Sequence, residues 1–483
     1  MPNNAKRKKP RRHFNKKLYV PLGVLAAALA VYLGFKCTED GTFTVLNYSE
    51  EEPVVATYKH FAFAKRKLKS LDASSLSCIQ NQNEKVVALQ SGLVNFHTKD
   101  VSENTTYTTT DGEEGYLNGS YGSDALYLDT NKNGTKVLFM MAGVKGWVDV
   151  DDINLMFYDP AYDISCYSRG TTALVHQVCT DLLNNASIAY NIGPAPDFLK
   201  EDTTYYSYDG HYFYPDFATM SADMQAGTYE RALNKEPYFN FYQFVPHRSK
   251  TALADNAYDE YLYRIRGIDA LASAYPCADN ESVLYDSEPT FIQEQNDVFV
   301  NGSMMFSLAC NESAYGQSQY AIEQHNVFGH GAFDENPDLA TMYADLKDCV
   351  HQHAYYFIQQ AYANPKDWRY HGSWFGDKGS GINVQYASDP YWGEKAASMY
   401  YALDQGTDRE AIQIHTVICP RDLDVALPDG TIAYTYKKGT VASFVVVGET
   451  DEDYEVMLEA PVQNGAIDVN ATYDPDIHGR IKK

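Results

Sequence analysis

Phe299-Val-Asn-Gly-Ser-Met-Met-Phe-Ser-Leu-Ala-Cys-Asn-Glu-Ser-Ala-Tyr-Gly316 is the stretch around which the rest of the chain is read. Taken as a helix, it puts Met305, Leu308 and Glu312 at i, i+3 and i+7, so a carboxylate falls on the apolar stripe. Gly316 is a stop signal, which places Glu312 near the C-terminal end of that helix. A carboxyl group in apolar surroundings has its charged form disfavoured, so its pKa rises and it can donate a proton near neutrality. A general acid that protonates a glycosidic oxygen needs that property. The plainer reading of the same spacing is a helix-end Glu pointing to solvent, as most charged residues do.

The neighbouring motifs favour the first reading. Glu312-Ser-Ala-Tyr-Gly-Gln-Ser is followed by Asn326-Val-Phe-Gly and Ala332-Phe-Asp334. Then come Tyr370-His-Gly and Lys378-Gly-Ser-Gly-Ile-Asn-Val-Gln-Tyr-Ala-Ser-Asp-Pro-Tyr-Trp-Gly-Glu-Lys395. This order resembles the bacterial peptidoglycan endo-β-N-acetylglucosaminidases of glycoside hydrolase family 73, over roughly Pro237 to Asp404. The resemblance implies a mainly α, lysozyme-like catalytic domain with Glu312 as its acid. It also implies a role for Tyr386, which matches a tyrosine the family places facing the acid. A phenol there can hydrogen-bond the sugar or its developing charge.

A second catalytic group is harder to assign. An inverting enzyme needs a base about 6.5–9.5 Å from the acid, and a retaining one a nucleophile at about 5–5.5 Å. Asp334 matches an acid after the family's Gly-x-x-Ala-aromatic turn, with Glu335 beside it; it could instead cap a helix or sit in the turn before Asn336-Pro337. The resemblance also implies an alternative in which the substrate's own N-acetyl group is the nucleophile. Tyr315, Phe328, Trp374, Tyr391 and Trp392 are candidates for the groove wall, covering sugar C–H faces, and Asn326 for reading N-acetyl and hydroxyl groups; each aromatic can equally be core. The chain departs from the family at His325, where an Asn is usual.

Charge divides along the chain. Residues 1–17 hold eight Lys/Arg and no acid, leaving a body near −33 that argues against nucleic acid and anionic membrane surfaces as partners. Leu18 to Phe35 is apolar throughout and just long enough to cross a bilayer at about 18 residues. With the basic flank held in the cytoplasm, the body faces outward. A cleaved signal peptide ending near Ala28-Leu29-Ala30 competes with this anchor, but the apolar run continues past it. No C-x-x-C pair occurs among the eight cysteines, and Cys310 reads as a small buried hydrophobe.

The expected organisation is therefore a basic tail (1–17), a transmembrane anchor (18–35) and a juxtamembrane segment (36–84) with a basic helical patch at Lys65–Lys69. A small SH3-like β domain (85–157) carries Gly143-Val-Lys-Gly-Trp-Val148, and a connector (158–236) has a helical portion around Thr172–Leu183. The catalytic domain (237–404) contains helices at 255–274, 290–298 and 338–362, the last with Leu339, Met342, Tyr343 and Leu346 on one stripe. A second β domain, SH3-like, closes the chain (405–483). The fold class is multidomain α+β.

No cofactor is called for. His351 and His353 lie about 200° apart on a helix, so they do not readily share a metal. Asp129–Gly134 resembles the start of a calcium loop, but Met140 stands where a bidentate Glu belongs, so a tight turn is expected. The expected activity is hydrolysis of the β-1,4 bond after N-acetylglucosamine in peptidoglycan strands, for wall remodelling. The competing readings are a muramidase or lytic transglycosylase on the same fold, and an inactive wall-binding scaffold.

Overall fold

In the computed structural model, which describes residues 41–331 and 341–483, the quoted stretch forms the helix Gly302–Glu312. Asn301 starts it, its side chain accepting a hydrogen bond from the Met304 amide at 2.9 Å. Every residue from Gly302 to Cys310 is buried, so the apolar stripe is in fact a whole circumference. Tyr258 stacks on Phe306 at 4.1 Å, and Phe291, Leu284, Ile358, Ala396 and Tyr400 complete the surrounding core. Only the C-terminal end, bearing Glu312, leaves the interior.

The helices that enclose it are Ala257–Arg266, Glu288–Val298, Gln319–Gln324, Leu346–Gln352, Asn383–Tyr386 and Trp392–Asp404. Two differ in extent from expectation. Ala257–Arg266 stops eight residues short of Ala274 because Gly267 turns left-handed (φ 71°). The helix expected from Asp338 begins at Leu346, where the Asp345 side chain accepts from the Asp348 amide at 2.8 Å. That cap overrides the apolar spacing: Tyr343 is buried in the approaching chain, while Met342 is 71% exposed. From His353 to Tyr362 the helix widens into π-helical turns.

Within residues 87–483, antiparallel sheets of four, six and seven strands pack around this helical layer. The first orders its seven strands as Asn154–Met156, Leu93–Asn95, Asp124–Thr130, Lys136–Met141, Val144–Asp149, Thr105–Thr109 and Glu114–Leu117. The expected tight turn joins its third and fourth strands at Asn131–Gly134, with Gly134 at φ 76°. The connector holds a correction. Thr172–Leu183 is not helical; it contains the strand Ala173–Asp181, flanked in its sheet by Ala186–Pro194 and Cys166–Arg169. Leu174, His176 and Val178 are buried while Ala173, Val175 and Gln177 are not, a period of two that the helical reading overlooked. The C-terminal part forms a six-stranded sheet from Ile414–Ile418 to His478–Lys482, as the β pattern implied.

The chain divides into two compact units at Val86 and Val87. The boundaries expected after 157, 236 and 404 all fall within the second unit. In the first unit the expected basic patch lies on the helix Phe61–Leu68, and the strands Val54–Tyr58, Phe43–Asn47 and Ser77–Gln80 form antiparallel pairs that the sequence reading did not anticipate. The tail 1–17, the anchor 18–35 and Cys37 lie outside the described residues, and no helix among the described residues is long and apolar enough to cross a membrane. The seven described cysteines are free, and Cys310 is buried as expected.

Close packing of the Trp392–Asp404 helix on Phe375-Gly376 makes one substitution diagnostic. A Cβ at Gly393 would sit 1.9 Å from the Gly376 carbonyl oxygen. Gly393→Ala is expected to destabilise the second unit by about 3 kcal/mol, visible as a lowered melting temperature with the helical circular dichroism otherwise retained.

Candidate active site

Glu312 is the last residue of the central helix, and the chain leaves it through a locked turn. Ser313 Oγ donates to the Ala309 carbonyl at 2.5 Å and accepts from the Gly316 amide at 2.8 Å. Ala314, Tyr315 and Gly316 all take positive φ values of 51°, 61° and 76°, which bend the backbone sharply away. The carboxylate therefore has a fixed base.

Two donors meet the carboxyl group. Trp392 Nε1 donates to Glu312 Oε1 at 2.5 Å, and Asn311 Nδ2 donates to the same oxygen at 3.1 Å. The other oxygen faces Gly329, where an added Cβ would lie 3.7 Å from Oε2 and the backbone is left-handed at φ 67°. Burial pushes the Glu312 carboxyl up to about 7, with the Asp389 charge acting in the same direction against the two donors. The C-terminal end of the helix dipole also disfavours the carboxylate. The group is deeply enclosed yet only half-buried, so it reaches solvent.

The loop over Glu312 is built by Asn326. Its Oδ1 accepts from the His330 amide at 3.1 Å, and its Nδ2 donates to the carbonyls of His330 and Thr341 at 2.9 and 3.1 Å. Phe328 stacks on His353 at 3.8 Å, and its carbonyl accepts the Tyr386 hydroxyl at 3.0 Å. Tyr386 in turn stacks on Trp392 with centroids 4.7 Å apart. Lys378 Nζ holds the Tyr386 segment from below, donating to the carbonyls of Asn383 and Ala387 at 3.0 Å each. Burial brings the Lys378 ammonium down to about 7.

Glu312, Tyr386, Trp392, Phe328 and Asn326 are thus brought together as the motifs implied. Asn326, Phe328 and Trp392 are buried, however, and serve as the frame of the site where contact with sugar was expected. Tyr391 is buried against His176, and Trp374 is wholly interior with its indole N–H donating to Ser380 Oγ at 3.3 Å. Tyr315 turns away, its hydroxyl on Met399 Sδ at 3.2 Å and Arg266 over its ring. Asp334 and Glu335 lie outside the described residues. His325 caps the Gln319–Gln324 helix at φ 54°, a left-handed position for which Asn is also suited. His351 meets Glu294 at 2.8 Å while His353 is wholly buried near His330, so the two face different partners.

Sequence reasoning missed Asn311, Lys378 and Glu394. Lys378 and Glu394 stand inside a quoted motif, but nothing in that motif reveals that Glu394 is met by His176, 218 residues earlier.

Residues 288–405 match the model of the glucosaminidase family, described as mannosyl-glycoprotein endo-beta-N-acetylglucosaminidase. Among curated proteins, a Streptococcus pneumoniae serotype 4 protein provisionally named endo-beta-N-acetylglucosaminidase is 29% identical over 220 residues, 44% of this chain and 32% of that protein. Its counterpart from a second S. pneumoniae strain is likewise 29% identical over 220 residues, covering 30% of its length. The match spans about a third of these relatives. Among solved structures, S. aureus autolysin E as a catalytic mutant with the disaccharide NAG-NAM aligns at 16% identity and a TM-score of 0.24, covering 40% of this chain and 80% of that one.

The raised carboxyl of Glu312 has a consequence for stability. Between its ordinary value of 4.5 and about 7, the folded chain holds a proton that the unfolded chain has released. Stability therefore falls as pH rises through that window. Glu312→Gln removes this penalty and is expected to melt above the wild type at pH 8, with the difference shrinking towards pH 4.5 in paired melting curves.

Proposed function

We propose that this chain is a peptidoglycan hydrolase that cleaves the β-1,4 bond after N-acetylglucosamine in glycan strands. The observation that carries the reading is a carboxyl group at the end of the central helix, met by Trp392 and Asn311, where burial favours its protonated state. That is the protonation state a glycosidase acid requires. The glucosaminidase-family match over residues 288–405 supports the choice of bond.

In the reaction, Glu312 gives its proton to the glycosidic oxygen as the bond to the anomeric carbon breaks. The Trp392 and Asn311 N–H groups then stabilise the carboxylate that forms. Water completes the anomeric carbon and its proton returns to the protein. Asp334 is our candidate for orienting that water, on the strength of its place after the sequence Gly329-His-Gly-Ala-Phe333. Tyr386 flanks the acid, its ring on Trp392.

The remaining assignments follow the same reading. The antiparallel sheet between Leu93 and Met156 is taken as an SH3-like wall-binding layer, supported by its short strands and by Trp147, which lies half-buried on the strand Val144–Asp149. Residues 18–35 are taken as a single membrane anchor with the body outside the cell, supported by the apolar run and the eight basic residues before it.

Mass spectrometry of peptidoglycan digested by the chain, beside Glu312→Gln, tests the activity. Fragments with reducing N-acetylglucosamine ends are expected, falling by about 10²–10⁴-fold in the variant. Reducing or anhydro N-acetylmuramic ends would replace the bond assignment, and unchanged cleavage by the variant would remove Glu312 from the chemistry.

A further inference from the structure

The helix Trp392–Asp404 begins with two side chains aimed in opposite directions. Trp392 and Glu394 are two residues apart, about 200° around the helix. Trp392 reaches Glu312, while Glu394 reaches the connector sheet. There Tyr167 Oη donates to Glu394 Oε1 at 3.1 Å, and His176 Nδ1 donates to Oε2 at 2.5 Å. Tyr167 and His176 are cross-strand partners, and their rings stack at 3.9 Å within 8° of parallel. All three residues are buried. The grip continues at the next position, where Lys395 pairs with Asp389 and lies 5.4 Å from the Tyr190 ring, on the third strand of the same sheet.

A buried carboxylate–imidazole contact adds little to stability over apolar packing of the same volume. What it contributes is direction. With side-chain atoms about 5–6 Å from a helix axis, a rotation of about 10° moves them by about 1 Å. A shift of that size would take the 2.5 Å bond between Trp392 and Glu312 to the limit of hydrogen bonding. Glu394 clamps the rotation from one side, and contact between Gly393 and Gly376 blocks translation.

We propose that Glu394, gripped by His176 and Tyr167, is a positioning residue that sets the Trp392 N–H on Glu312. The connector sheet is then part of the acid's machinery. The catalytic consequence rests on the proposed function; the geometric one does not. Facing Glu312 are the donors Trp392 and Asn311, the charge of Asp389 and the phenol of Tyr386. Of these, Glu394 governs Trp392.

The test uses the whole chain labelled with ¹⁵N at tryptophan, the Trp392 indole signal being assigned with Trp392→Phe. In the wild type this signal follows the titration of Glu312. Glu394→Ala and Tyr167→Phe are expected to move the midpoint upward by up to about one unit, because a donor to the carboxylate is weakened. Glu394→Gln, whose amide oxygen still accepts, is expected to stay close to the wild type. Glycan cleavage by Glu394→Ala should fall roughly tenfold in kcat with KM within about twofold. A lowered melting temperature with an unmoved midpoint would make Glu394 merely structural and overturn the proposal. Should Glu394→Ala fail to fold, an unmoved midpoint in Tyr167→Phe overturns it equally. If the wild type cleaves no glycan, the proposed function fails, while the indole titration still decides the positioning role.

Discussion

The hydrogen bond from Trp392 to Glu312 joins residues 80 positions apart, and both must be held for it to exist. One end is fixed by a helix buried on every side, and the other by a helix that packs so closely on Gly376 that only glycine fits at 393. The acid can then be isolated enough to keep its proton and still be stabilised when it loses it. Full burial without donors would make the carboxyl a poor leaving site for the proton; full exposure would leave it ionised. The observed compromise brings the carboxyl to about 7.

The β layers acquire a purpose from the same bond. The sheet between Leu93 and Met156 supplies Tyr116, which lies beside Lys378 in the segment that carries Tyr386. The connector sheet supplies His176 and Tyr167 for Glu394. The C-terminal sheet shares a core with Phe244 and Trp374, beneath the Phe375-Gly376 turn on which Gly393 rests. Each layer thus reaches the segments that carry Tyr386 and Trp392, within the one compact unit of residues 87–483.

Local signals were legible where local physics decides them. The end of the central helix, the Asn131–Gly134 turn and the C-terminal strands follow from stop residues and alternation. The connector strand was misread because Leu174, Val178 and Leu182 also fit a helical spacing, and only pairing with Ala186–Pro194 decides between the two. The late start at Leu346 turned on Asp345 outcompeting an apolar stripe. Glu312 itself was found through its motif, whereas its surroundings depend on residues distant in sequence, such as Gly329 and Trp392. Trp392 was marked as a sugar platform; a tryptophan's flat face and its N–H look alike in sequence, and only the fold reveals which one is used.

The proposed mechanism depends on Glu312 holding its proton near neutral pH. Carbon-13 NMR of the glutamate side-chain carboxyls, with Glu312 assigned by its loss in Glu312→Gln, measures this without any substrate. A Glu312 midpoint of about 7 is expected. A midpoint at the ordinary 4.5 would mean that the carboxyl is ionised at neutral pH, and would rule out the mechanism proposed for it.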